Sequence, residues 1–169
     1  NWAGTIEQVT TNEIQHSIGS KKTLLSFAVI LPRHEFIIRL DQNHRTLALG
    51  SVFSLGYYCK DRMWPICLRQ LWGSIGTDFE ILVDGQRIGF IDGVMFALGS
   101  DSYVELYEHD LGKDSRFAEL MTLFAASVGY HKSMRRSTKK RIEACKSGDW
   151  RGCTVASDEL SIFKNGRAA

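Results

Sequence analysis

Two prolines, four cysteines, no apolar run of membrane-spanning length and no recognisable catalytic signature mark this sequence of 169 residues by what it lacks. So little proline rules out a polyproline linker or a collagen-like fibre. Without an uninterrupted apolar stretch of roughly 18 to 20 residues, no α-helix is expected to cross a bilayer. The amino end, NWAGTIEQVT, has no basic segment followed by an apolar one and does not read as a secretory leader, although the chain opens on Asn1 rather than Met, as a cut or processed chain would. There is no G-x-S-x-G, no glycine-rich phosphate loop and no G-x-G-x-x-G after a strand. His16, His34, His44, His109 and His131 are scattered, with no H-x-x-x-H or H-E-x-x-H pair. A His109-Asp110 dyad is the best acid–base candidate, and Asp110 there is expected to serve the backbone of a turn. The sequence therefore supports binding over catalysis and calls for no cofactor.

What is present describes an ordinary globular chain. The hydrophobic and charged fractions, 44% and 24%, suit a soluble domain with a full core, and the length suits one domain over 1–169. Short apolar runs between polar turns predict strands across about 5–108: Thr5 to Thr10, Thr23 to Leu31, Glu35 to Leu40, Thr46 to Tyr58, Ile66 to Trp72, Val94 to Leu98 and Tyr103 to Glu108. Within Phe79 to Ile91, Asp84-Gly85 predicts a type I′ turn, which would set Ile81 opposite Ile88 and Phe79 opposite Phe90. In LLSFAVIL both faces are apolar, so this strand should be covered on both sides.

After HDLGKD the apolar period changes. Phe117, Leu120, Met121, Phe124, Ala125 and Val128 recur at helical spacing behind Asp114 or Ser115 as a cap, predicting a helix over about 114–136. Ala118, Leu123 and Ala126 make it apolar almost all round, so protein should surround it. The expected fold is mainly β (α+β), an antiparallel barrel-like sheet around one late hydrophobic helix. A carboxyl-terminal extension over 145–169 is expected to end in a strand from Glu159 to Lys164.

In the order HEFIIRLDQNHRTLAL, FEILVDGQRIGFIDG and RFAELMTLFAASVGYHK, the chain resembles the tubby-like fold shared by tubby proteins, phospholipid scramblases and LURP-one-related proteins. The resemblance covers roughly Ser26 to Lys132. It implies a barrel closed around a helix, and phosphoinositide or membrane-surface binding more than chemistry. No functional residue carries over from it.

All four cysteines lie in two similar segments, CKDRMWPIC and CKSGDWRGC. A structural zinc site takes ligands in closely spaced pairs, and the seven intervening residues of each segment argue against one through Cys59, Cys67, Cys145 and Cys153. Disulfides Cys59–Cys67 and Cys145–Cys153 would be easier to close. Buried thiols in a reducing compartment are the leading expectation.

Charge is distributed unevenly. The net charge is +2, yet His131 to Arg141 holds Lys132, Arg135, Arg136, Lys139, Lys140 and Arg141 with no acid, which leaves the remainder of the chain net acidic. At helical spacing Lys132, Arg135, Arg136, Lys139 and Lys140 share broadly one side, where an anionic lipid surface or an acidic protein partner could be met. Nucleic acid would call for a wider basic footprint with interleaved aromatics. The expectation is a non-catalytic binding module, cytoplasmic and membrane-peripheral, contacting an anionic surface or phosphoinositide. Its alternatives are a scaffold for an acidic protein, and a small-ligand carrier or enzyme with a pocket that sequence does not reveal.

Overall fold

In the computed structural model, residues 4–18, 20, 22–44, 50–73, 77–93 and 102–149 are described. Eight strands follow the chain: β1 (Thr5–Gln8), β2 (Ser26–Ile30), β3 (Ile38–Gln42), β4 (Val52–Cys59), β5 (Arg62–Gln70), β6 (Phe79–Val83), β7 (Gln86–Gly93) and β8 (Ser102–Leu106). Each pairs antiparallel with the next, giving one sheet in sequence order that curls into a half-barrel. Helix α1 (Thr10–Ile18) lies between β1 and β2; α2 (Ser115–Val128) and α3 (His131–Ser147) follow the sheet.

Alternation explains the curl. In β4, Phe53, Leu55, Tyr57 and Cys59 point into the core while Ser54, Gly56 and Tyr58 face out, the period-two pattern of a sheet packed on one side. β2 is buried on both faces, as LLSFAVIL suggests. Phe27 and Val29 enter the core, and on the other side Ser26 is covered by α1, whose Glu13 accepts its N–H at 3.1 Å.

The inner faces converge on α2. Its Phe124 ring sits 5.2 Å from both Phe53 and Phe79, edge to face, and Phe117 sits 5.3 Å from Tyr57. Such pairs add roughly 0.5–1.5 kcal/mol each beyond the burial of the rings. Helix α2 packs on β8, β7 and β1 and so spans the two edge strands, while Thr122 and Ala126 on its outer side stay exposed. The sheet stops short of enclosing it.

Several local expectations need correction. Asp84 and Gly85 do take the two positive φ values of a type I′ turn, 50° and 81°. The register then shifts between Ile81 and Leu82, so Ile81 faces Gly89 rather than Ile88, and Phe79 faces Ile91 rather than Phe90. A bulge absorbs one residue and keeps Ile88 buried. The strand expected over Thr5 to Thr10 ends at Gln8, because Thr10 begins α1. The helix expected over 114–136 is two helices, broken at Gly129 and Tyr130. Glycine is a weak helix former, and the turn brings His131, Thr138 and Ile142 into buried positions that a straight continuation would carry away from the sheet. Helix α3 then runs to Ser147, into the segment assigned to an extension. The strands expected at Val94 to Leu98 and Glu159 to Lys164 fall outside the described residues.

Candidate functional site

Helix α3 crosses one rim of the half-barrel. His131 at its start packs against Phe27, Phe53 and Phe124 at 5.4–5.7 Å between ring centroids. One turn on, Arg135 Nη2 donates to Gln42 Oε1 at 3.0 Å on β3 and to Ser51 Oγ at 3.1 Å just before β4. Next, Thr138 donates to the carboxylate of Glu13 on α1. With one side of the helix committed to these contacts, the cations turn toward the other. Lys132, Arg136, Lys139 and Lys140 are exposed, whereas Arg135 and Arg141 are half-buried.

Between α3 and the rim lies a cleft of about 400 Å³. Arg135, Arg136 and Lys139 reach it from the helix, and Lys22 faces them from the segment before β2. Neutral groups supply the floor: Gln42, Ser51 and Gln70 from the strand ends, with Thr23, Asn43 and His44 beside them. No Asp or Glu is among the described residues that line it. The structure thus brings three of the six sequence-predicted cations together and adds Lys22. Lys132, Lys140 and Arg141 do not line the cleft.

The floor is tied together by its own hydrogen bonds. Gln42 Oε1 accepts the Leu25 N–H at 3.0 Å, Gln42 Nε2 donates to Ser51 Oγ at 3.3 Å, and the Ser51 N–H donates to Gln70 Oε1 at 2.9 Å. Arg135 is held by this lattice, and no carboxylate pairs with it among the described residues. Burial lowers its pKa from the ordinary guanidinium value and the charge of Glu13 opposes this; a guanidinium so far above neutrality stays protonated. Its hydrogen-bond partners are neutral, so an approaching anion need not break an ion pair to reach it. Lys139 lies 3.9 Å from Glu143, an exposed i,i+4 contact that restrains it weakly.

His131 belongs to the core and not to the cleft. Burial, with help from the charge of Arg135, lowers its pKa to about 3, so its imidazole is neutral. Ser127 Oγ donates to the Phe124 carbonyl at 2.7 Å and can therefore accept from His131 Nε2 at 3.2 Å.

A second polar cluster occupies the opposite end of α2. Asp114 caps the helix, Oδ1 accepting the Arg116 N–H at 3.0 Å, while Oδ2 accepts from Tyr57 Oη at 3.1 Å and Cys59 Sγ at 3.0 Å. Burial works against ionisation of Asp114, but the hydrogen bonds from Cys59, the Arg116 N–H and Tyr57 outweigh it and hold the carboxyl below its usual range. Burial first and Asp114 second raise the Cys59 thiol and the Tyr57 phenol. A thiol pushed up in this way is a poor nucleophile.

The cysteine expectations divide. No disulfide joins Cys59 to Cys67. Cys59 faces Arg62 across the ladder and points inward, whereas Cys67 faces Ser54, five rungs away. That is about 16 Å along the strands, where a disulfide needs Cα atoms within about 7 Å. Cys145 is disulfide-bonded; Cys153, which the sequence pairs with it, lies outside the described residues. Among the described residues no group of His, Cys, Asp or Glu could hold a metal. The His109-Asp110 expectation is also corrected: Asp110 makes no capping bond and lies 3.5 Å from Lys60, while His109 Nδ1 accepts the Leu111 N–H.

Gln42, Ser51 and Gln70 escaped sequence reasoning because each is a single polar residue at or next to a strand end, and Lys22 because it lies in a short polar segment four residues before β2; only the curl of the sheet gathers them. No family model, curated protein or solved structure matches the chain. Among the described residues no helix is long and apolar enough to cross a membrane.

Proposed function

We propose that this protein is a binding module that seats the basic face of α3 against an anionic membrane surface. The observation that carries the proposal is the arrangement of α3 itself. Its buried side is consumed by the sheet and α1, which leaves Lys132, Arg136, Lys139 and Lys140 exposed along the helix with Arg135 behind them. Attraction of about 1 kcal/mol per basic residue near an anionic leaflet makes such a face sufficient for peripheral attachment. The resemblance to the tubby-like fold implies a barrel closed around a hydrophobic helix; the half-barrel here shares with it the curled antiparallel sheet and the helix seated against it, and membrane-surface association agrees with that resemblance.

Vesicle flotation tests this. The chain is expected to float with vesicles containing anionic lipid at low salt, to float less at physiological salt, and to remain unbound when Lys132, Arg136, Lys139 and Lys140 are changed together to Ala. Failure of the folded wild-type chain to float at either salt would overturn the proposal and direct attention to an acidic protein partner for the same face.

A further inference from the structure

We propose that the cleft between α3 and the sheet rim is a receptor for one phosphomonoester group carried on a hydroxylated body, a sugar or polyol phosphate, with Arg135 as its anchor. This rests on the anion-binding character of α3 and names the ligand chemistry that the exposed face alone does not select.

The guanidinium of Arg135 is positioned before any ligand arrives. Only Nη2 is occupied, by Gln42 and Ser51, and the remaining N–H groups have no hydrogen-bond partner among the described residues. The acceptors that hold it are themselves fixed by Leu25 and Gln70, so the planar fork is oriented by strands and not by a mobile loop. Such a fork matches two oxygens of a phosphate, and its pre-organisation reduces the ordering cost of binding.

Charge selects among anions. Arg135, Arg136, Lys139 and Lys22 line one cleft with no carboxylate among the described lining residues. A carboxylate or a phosphodiester brings one negative charge to them. A phosphomonoester brings about −1.5 to −2 at neutral pH and three acceptor oxygens, the better counterpart to several converging cations.

Size and lining select the rest of the ligand. At roughly 30 Å³ per water, a cleft of about 400 Å³ holds on the order of a dozen waters, far more than a phosphate displaces. The surplus space is lined by Thr23, Asn43, His44 and Gln70, which exchange hydrogen bonds with hydroxyl groups. Leu24 is the sole large apolar residue and no Phe, Tyr or Trp is present among the described lining residues. The lining offers no wall for an acyl chain, and a nucleobase would find only His44 and guanidinium planes to stack on.

Calorimetric titration of the full chain at constant ionic strength compares glucose 6-phosphate and inositol 1-phosphate with glucose, inositol and glucuronate. Both phosphate esters are expected to bind, glucuronate about tenfold more weakly or not at all, and the uncharged polyols not at all. Arg135→Lys keeps the charge but loses the fork and is expected to weaken binding about tenfold; Lys60→Ala, an exposed cation beside Asp110 and away from both the cleft and the α3 face, should leave it unchanged. Because Arg135 also ties α3 to the sheet, Lys22→Ala and Lys139→Ala carry the test if that variant does not fold.

A vesicle arm separates the sources of the group. Preferential flotation with phosphatidylinositol 4-phosphate, which carries a phosphomonoester on a polyol headgroup, over phosphatidylglycerol at matched surface charge, competed by glucose 6-phosphate, identifies a lipid headgroup; soluble binding without that preference identifies a free phosphate ester. Binding of the esters no tighter than glucuronate overturns the inference. If flotation with phosphatidylglycerol persists in that case, the membrane proposal stands alone. Ester binding with no flotation on either lipid gives the reverse.

Discussion

At the amino end of α2 the carboxylate of Asp114 meets four donors, from Tyr57, Cys59 and both the backbone and side chain of Arg116; beyond the carboxyl end the guanidinium of Arg135 meets two neutral acceptors. The first group is satisfied inside the molecule and has little left to offer. The second is held in place but not neutralised. Glu13 shows that the α3 end can neutralise polar demand where no ligand is to enter: it is fully buried and takes hydrogen bonds from Gln8, Thr138 and the Ser26 N–H. The lack of a carboxylate partner for Arg135 is therefore a local feature of the cleft and not a general shortage of acceptors.

The largest effects are expected where groups are fully satisfied. Asp114→Ala removes the helix cap and strands the Tyr57 and Cys59 donors, and Glu13→Ala takes the acceptor from the Ser26 N–H while Thr138 and Gln8 fall back on the Met134 carbonyl and Thr138 Oγ1; the first should cost about 3 and the second about 2 kcal/mol in urea denaturation. A loss below about 1 kcal/mol at both positions would dissolve the contrast between the two ends.

Acid should act next. With a folded pKa of about 3 against an unfolded value near 6.5, His131 is neutral in the fold and takes up a proton on unfolding. Its contribution is complete above about pH 6.5 and is lost as pH falls toward 3, at up to about 1.4 kcal/mol per pH unit. Asp114, depressed in the fold, adds a loss in the same direction below about pH 4. His131→Phe should flatten the upper part of this profile; an unchanged slope between pH 6 and 4 would show that the imidazole is protonated in place.

The smallest effects are expected in the cleft. Lys22→Ala and Lys139→Ala should change stability by less than about 0.5 kcal/mol in either direction, and any gain should shrink as salt is added. A large destabilisation would mean that these cations serve the fold, and the comparison of the ends would lose its functional side.

The strands and α2 were legible in the sequence because burial repeats in them with a period of two or near 3.6. β4 alternates in and out from Phe53 to Cys59, and Phe117, Leu120, Met121 and Phe124 follow one face. Helix α1 left no such trace. It buries Thr10, Asn12, Glu13 and Ser17, polar residues whose place inside depends on partners that no local window contains. The shift at Ile81 and the turn at Gly129 were hidden for a related reason, since each answers to packing against distant elements. The basic face was readable from α3 alone, but the cleft beneath it required Lys22, Gln42 and Ser51, brought together by the curl of the sheet.

The sequential strand order also bears on folding kinetics. Every ladder joins neighbours along the chain, so the sheet can grow from local hairpins with short loops to close, the regime in which chains fold quickly. One junction is of another kind. β1 meets α2 across most of the chain, and at Gly4, just before β1, an added Cβ would lie 2.7 Å from the Ile30 carbonyl oxygen and 3.2 Å from Leu123 on that helix. This seam, closed last because it joins the most distant parts of the chain, is expected to be the slow step of assembly, and amide protons of β1 and β8 are expected to exchange before those of β4 and β5.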